Sequence, residues 1–488
     1  MKRQLEFNLK ALTAILSLSV LSFIVGANAV ARDLSLNEAI EIAVGKSSRG
    51  EIIDGDLEVA EQNYFAEKIN FYIPEISING NAPVYNVAES FRFFGGLDEK
   101  QLIRTTDRDF NANIQLNQSL ITGGSVNVTG NIWNRRSEYP LLDRDVIEVN
   151  NQGIFDFTFE QPLLKPSEPK NKLHNTRDDL EIARLTMVQN LSGLKKEVTD
   201  AYLGVLQTDL KLEIADDKVE SARLQNGIDS VKFAEGVISE EDWLLSSSER
   251  LDAELNKYDV ENERLEKNRE LALLLDFDIS EQITPSVPQI GDHFTERERT
   301  ALINGWEESV PIRKARYEYS KAKRQADYTA SSHGLTGTFE ASYSLGRGDV
   351  EVDGATTENN TDSWQLALNF RLPLWDGGST GAAIKAARLT AQKSELEYQR
   401  ARKSARAEIA ALIHRLDVSH RKLDVLRKQV EIANSKLDIA RFRLEDGQVS
   451  RIQFLESKVF YLEAQNNYLE ELRKYLNDRI EIEGKYTS

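Results

Sequence analysis

The chain has 488 residues, 79 of them acidic and 61 basic, for a formal net charge of −18, and it has no cysteine. The acidic balance excludes a nucleic-acid-binding surface, because neutralising phosphates calls for basic side chains. With no thiol, both disulfides and the lipid-modified N-terminal cysteine of a bacterial lipoprotein are excluded, so stability rests on packing and assembly.

At the N-terminus, Lys2, Arg3 and Lys10 precede an apolar run from Ala11 to Gly26 and the small-residue pattern Ala27-Asn28-Ala29, the signature of a secretory signal peptide over residues 1–29. No later apolar run approaches the roughly 20 residues of a membrane helix. Any membrane passage must therefore use alternating strands. Only 10 prolines occur, and two long segments contain none after their opening turn, which predicts long helices.

The chain is internally duplicated. Phe159-Glu160-Gln161-Pro162-Leu163-Leu164 recurs as Phe370-Arg371-Leu372-Pro373-Leu374-Trp375, an offset of 211. Far downstream, Gly236-Val237-Ile238-Ser239 recurs as Gly447-Gln448-Val449-Ser450 at the same offset. Two motifs that keep one spacing leave no room for an insertion between them, as a continuous helix requires. The first repeat is expected over 30–282, with a helix, strands at about 74–160, a long helix at about 170–235 and a return helix at about 240–276. The second is expected over 283–488, with a helix at about 295–330, strands at about 335–373, a long helix at about 379–446 and a return helix at about 451–483. The proline-rich Ile283 to Pro288 is the linker candidate.

In the second long helix, Ile409, Leu412, Leu416, Leu423, Leu426, Val430, Ala433, Leu437, Ala440 and Leu444 follow the three-four spacing of a coiled-coil seam, apart from one skipped position at Ser419. Val198, Ala201, Val205, Leu212, Ala215, Val219, Ala222 and Phe233 form its counterpart, which degrades at Thr208, Asn226 and Asp229. Alanine recurs on the seam beside leucine, which suits a curved sheet of closely approaching helices. Each long helix ends at a glycine, the residue that adopts a left-handed C-cap without strain, and each pair forms a hairpin.

Trp364, Leu366, Leu368, Phe370 and Leu372 alternate with Gln365, Asn369 and Arg371, and Phe155, Phe157 and Phe159 alternate with Asp156, Thr158 and Glu160. Such a period of two fits a barrel wall between lipid and water. Further strand candidates are Glu75 to Asn81, Phe110 to Asn117, Val126 to Asn134 and Leu335 to Leu345, with an acidic loop expected from Gly348 to Gly354. Strands this few cannot enclose a water-filled lumen, and an open edge cannot face lipid, so several copies must combine.

This order resembles the TolC-type outer-membrane efflux protein family over nearly the whole mature chain. The residues that carry the resemblance are Leu34-Ser35-Leu36-Asn37-Glu38-Ala39-Ile40, the two strand-ending Pro-Leu motifs, Trp375-Asp376-Gly377-Gly378 and the two Gly turns. It implies a mainly α fold with a β-barrel portion: a duplicated helix–strand–helix repeat that forms a trimeric outer-membrane β-barrel and a periplasmic α-helical barrel. It also implies a homotrimer in outer-membrane lipid, a periplasmic adaptor (membrane fusion protein), an inner-membrane pump, and a passive exit duct for efflux or type I secretion. The adaptor-docking tips map to Gly236, Val237, Gly447 and Gln448, and the pore constriction to Asp242, Gln453 and Glu456. The chain departs from the family pattern at Gln453, where an acid is usual, and in an extra hairpin expected at Phe110 to Trp133 around Thr122-Gly123-Gly124. The alternative from another class is a structural or adhesive coiled-coil envelope protein; amphipathic strands in both repeats favour the duct.

No catalytic, cofactor-binding or metal site is expected. The five histidines, His174, His293, His333, His414 and His420, lie at no metal-ligand spacing, and there is no G-x-S-x-G elbow. Asp376 to Gly381 lacks the Gly-Lys-Ser/Thr ending of a phosphate loop and reads as a turn between strand and helix.

Overall fold

The computed structural model describes residues 32–92, 101–141, 144–278, 283–289 and 294–486, so the signal-peptide segment lies outside the described residues. Two compact units result. One takes the described residues up to Asp54, Val188–Trp306 and those from Ala407 on; the other takes Gly55–Met187 and Glu307–Arg406. Each unit thus draws on both repeats.

The first unit is built on helices. After the short strand β1 (Arg32–Leu34), α1 (Leu36–Gly45) starts at Ser35, whose hydroxyl accepts from the Glu38 N–H while the Glu38 carboxylate accepts from the Ser35 N–H at 2.9 Å. That reciprocal capping box accounts for the Ser35-Leu36-Asn37-Glu38 motif. The helix α2 (Ser48–Tyr72) follows and runs on into the second unit. The long helices are α3 (Glu168–Ala234) and α7 (Ser379–Glu445), of 67 residues each, and their returns are α4 (Glu240–Leu275) and α8 (Arg451–Tyr486), of 36 residues each. All four boundaries of the first hairpin map onto the second at the offset of 211, as an indel-free duplication requires.

The seam is the core. Val198, Ala201, Val205, Ile409, Leu412, Leu416 and Leu423 are almost wholly buried, together with Leu271, Leu472 and Tyr475. The weak positions of the first copy find polar partners. The Thr208 hydroxyl donates back to the Gly204 carbonyl at 3.1 Å, and the Asn226 amide donates to the Ser246 and Ser247 hydroxyls of α4. Phe233, the last seam position, is instead 37% exposed and stacks on Trp243 with ring centroids 5.3 Å apart.

The linker candidate is not a loose connection. Ile283–Pro285 is a strand, β6, that pairs in parallel with β1, and the buried Tyr202 hydroxyl donates to the Leu34 carbonyl at 2.6 Å and accepts from the Ser286 N–H at 2.8 Å. Buried backbone groups must be paired, and this ribbon pairs them where the two repeats begin. The single helix expected at about 295–330 is two, α5 (Glu296–Asn304) and α6 (Val310–Ser332), separated by a short 3-10 turn at Trp306–Glu308. Pro311 explains the break, since proline fits the first turn of a helix and not its interior.

The second unit holds an antiparallel sheet of β2 (Glu75–Arg92), β3 (Gln101–Ser119), β4 (Ser125–Leu141), β5 (Arg144–Pro162), β7 (Thr336–Val352), β8 (Ala355–Glu358) and β9 (Thr361–Arg371). The order is β2-β3-β4-β5-β7, and β8 and β9 share the position beyond β7, so the sheet is six strands wide. The acidic loop expected from Gly348 to Gly354 is largely strand: β7 continues to Val352, and only Asp353 and Gly354, both with positive φ, turn the chain. An Asp-Gly pair matches the two-residue turn whose twist fits a hairpin.

The pairing also corrects the position of the extra hairpin. Ser125 faces Glu160 across β4 and β5, and Thr336 faces Arg371 across β7 and β9, the same register displaced by 211 on both strands. The β4 and β5 pair is therefore the counterpart of the second-repeat hairpin. The additional strands are β2 and β3, not the segment from Phe110 to Trp133. Where the second repeat passes from α6 directly into β7, the first inserts a whole hairpin between α2 and the Thr122-Gly123-Gly124 turn.

Candidate functional site

Both hairpin tips are built by one local rule. At the first, the Gly236 N–H donates to the Phe233 carbonyl at 2.9 Å and the Val237 N–H to the Lys232 carbonyl at 2.8 Å; at the second, Gly447 donates to Leu444 at 3.0 Å and Gln448 to Arg443 at 2.7 Å. Such bonds satisfy the last carbonyls of each helix, and they require a left-handed residue. Gly236 and Gly447 supply it, with φ of 71° and 72°. Val237 and Gln448 follow, exposed at the tips.

The next helix starts in a capping box at each tip. The Asp242 carboxylate accepts from the Ser239 N–H at 3.2 Å and from its hydroxyl at 2.7 Å, and the Asp242 N–H donates to the Ser239 hydroxyl. At the equivalent position, Gln453 accepts from the Ser450 N–H at 3.0 Å through Oε1 and donates its own N–H to the Ser450 hydroxyl. Glutamine replaces the acid here without loss of the cap, because the box needs only an acceptor at that position. Glu456 is exposed, and among the described residues no side chain bonds it.

Four helices lie side by side in the order α4, α3, α8, α7. Arg223 pairs with Glu254 and Lys257 with Asp216 between α3 and α4; Lys458 pairs with Glu213 at 2.8 Å and Asp217 at 2.9 Å, and Arg451 with Glu220 at 3.0 Å, between α3 and α8; Arg415 pairs with Asp478 between α7 and α8. Burial raises the Asp217 carboxyl above its ordinary range, against the pull of Lys458.

These pairs fix the level of each tip. Lys458 is eleven residues past Gly447 and sits opposite Glu213 and Asp217, which puts Gly447 level with Asn226, ten residues short of Gly236. The two turns are staggered by roughly 15 Å of helix. Asp242 and Gln453 thus hold equivalent places at different levels of the row of helices.

At the other end of α7, the Asp376 carboxylate accepts from the Gly378 N–H at 2.9 Å and the Thr380 N–H at 2.8 Å, while Gly377 and Gly378 take positive φ. The bonds from Thr380 and Gly378 hold this carboxyl below its ordinary range. The segment is a helix cap.

In the sheet, Leu366, Leu368 and Phe370 share a face with Phe339, Ala341 and Tyr343 on β7 and Phe155, Phe157 and Phe159 on β5. The face continues through Val126 and Val128 on β4, Ile114 and Leu116 on β3, and Ile76 and Ile78 on β2. Trp364 and Ile78 are 75% exposed, Leu366 and Phe370 62%. An apolar band this broad is unstable against water and suits lipid. Among the described residues, the outer edges of the sheet, on β2 and β9, pair with no further strand.

A duplicated hairpin of long helices, Gly-turn tips and an amphipathic sheet are the features on which the family comparison turns. Residues 307–484 match the family model described as outer membrane efflux protein. The resemblance to the TolC-type family is borne out over that segment, and over most of the chain the fold is similar to that of outer membrane channels of known structure. The efflux-protein fold is shared with the Campylobacter jejuni CmeC outer membrane channel at a TM-score of 0.61 and 11% identity, over 92% of this chain and 84% of that one. It is shared with the Vibrio cholerae outer membrane protein VceC (0.58, 13%, 92% and 95%) and with the open state of the Neisseria gonorrhoeae MtrE outer membrane channel (0.57, 15%, 92% and 88%). No curated protein matches the sequence. Among the described residues no helix is long and apolar enough to cross a membrane, and no group of three or more potential metal ligands occurs.

Proposed function

We propose that the chain is one subunit of a homotrimeric duct, with its sheet in the outer membrane and its helical hairpins in the periplasm, that conducts cargo delivered by an inner-membrane pump through a periplasmic adaptor. The observation that carries this reading is the sheet, lipid-compatible on one face, polar on the other and open at both edges. In a bilayer an open edge has no water to satisfy its N–H and C=O groups, so it must meet another edge. Copies of the same chain supply one.

The helices support the same assembly. On α4, Leu251, Leu255, Tyr258 and Leu265 follow coiled-coil spacing and are 50% to 67% exposed; on α7, Val425, Ile432 and Ile439 recur every seven residues and are 53% to 67% exposed. These are the outer helices of the row of four, and among the described residues each offers a seam with no partner. A structural coiled-coil protein would use such seams too, but it has no use for the apolar face of the sheet.

A passive duct needs no catalytic group. Efflux and type I secretion both fit the arrangement, and the tips at Gly236, Val237, Gly447 and Gln448 are the surfaces offered to an adaptor. Purified protein inserted in a planar bilayer tests the reading. Stepwise conductance from a cross-linkable trimer is expected; a monomer without conductance would return the chain to the structural alternative.

A further inference from the structure

The inserted hairpin carries its own share of a barrel wall. Ile76, Ile78, Ile114 and Leu116 extend the apolar band, while the opposite face of β2 and β3 presents Asn79, Asn81, Asn111, Asn113, Gln115 and Asn117, together with Glu75, Asp107 and Asp109, the last paired with Arg135 on β4. A plug folded into a lumen would be polar on both faces; a strand pair lying outside a barrel would have no reason to present six amides. Continuous antiparallel pairing from β2 through β9 places the hairpin in the wall itself.

We infer that the assembled barrel has eighteen strands, six from each of three chains, and that β2 and β3 make it a wide exit whose wall they line largely with amides. The inference rests on the trimer proposed above. Barrel diameter grows roughly linearly with strand number, so six strands per chain in place of four widen the barrel by about half and about double its cross-section. Sixteen to eighteen strands is also the range in which porins keep an aqueous channel. The six amides are uncharged donors and acceptors.

The second repeat shows how to remove the insertion, since there a helix feeds its strand directly. Deleting Glu75–Ser119 joins α2 to the turn before β4, leaving four strands per chain. The deletion variant and the full chain would each be cross-linked to count subunits, then inserted in planar bilayers with neutral polyethylene glycols of graded size on the outer side. A deletion trimer that admits polymers only up to about two-thirds of the original diameter is expected. A deletion trimer with an unchanged cut-off overturns the inference and leaves the duct reading standing; a full chain that is not trimeric overturns both.

Should the deletion variant not fold, the cysteine-free full chain permits a second test. Asn113→Cys is expected to react with water-soluble thiol reagents and to change conductance on reaction. Ile114→Cys, on the lipid face, is expected to be inert. An unreactive Asn113→Cys removes the hairpin from the lumen wall.

Discussion

At position 453 a glutamine occupies the place of an acid without disturbing the turn, because the capping box asks only for an acceptor three residues after Ser450. Asp242 uses its carboxylate in the same way, so charge and cap can be separated there. Asp242→Gln copies the second tip: it is expected to keep the helix start, with stability changed by less than about 0.5 kcal/mol, and to lower the cation preference of the pore. Glu456→Gln is expected to lower it independently. The stagger of the tips puts these two acids roughly 20 Å apart along the helices, beyond the Debye length of about 8 Å at physiological salt. Reversal potentials in a salt gradient check this: unchanged selectivity in both variants would leave Asp242 as a cap alone.

At the scale of the element, the same spacing rule has two outcomes. On the inner seam, Ile409, Leu412, Leu416 and Leu423 are buried by neighbouring helices of the same chain, whereas Leu255 on α4 and Ile432 on α7 are left in water. Burying each such side chain against a neighbouring subunit is worth about 1.5–3 kcal/mol. Leu255→Glu combined with Leu265→Glu is therefore expected to leave the protomer folded, with unchanged circular dichroism, and to shift the protein in detergent from trimer to monomer by light scattering. A double variant that remains trimeric would place the subunit contact elsewhere.

At the scale of the whole molecule, charge links the two repeats. Glu481 on α8 pairs with Lys196 on α3 and with Lys485 at 2.7 Å, and Lys485 also pairs with Glu408 on α7. Burial would raise the Glu481 carboxyl, but the two lysines outweigh it and hold it at about 2. A carboxyl depressed in the folded state contributes stability above its unfolded value, near 4.5, and loses it as pH falls through the folded value. Glu481→Gln is expected to cost on the order of 1–2 kcal/mol at pH 7, discounted for partial solvent screening, and the gap to the parent chain is expected to close between about pH 4.5 and 2. Denaturant melts across that range measure it; a constant gap would assign the loss to packing.

What the sequence by itself determined is whatever local chemistry or an uninterrupted period encodes. The offset of 211 located both long helices, because a helix tolerates no insertion; the Gly236 and Gly447 turns follow from left-handed backbone, and the strand faces from alternation about Phe157 and Leu368. The tertiary structure decided the rest, because pairing between distant segments has no local signal. Only the shared register of Ser125 with Glu160 and of Thr336 with Arg371 shows that β2 and β3 are the inserted strands. The parallel pairing of Arg32–Leu34 with Ile283–Pro285 joins segments 251 residues apart, and the stagger that separates Asp242 from Gln453 depends on where Lys458 meets α3.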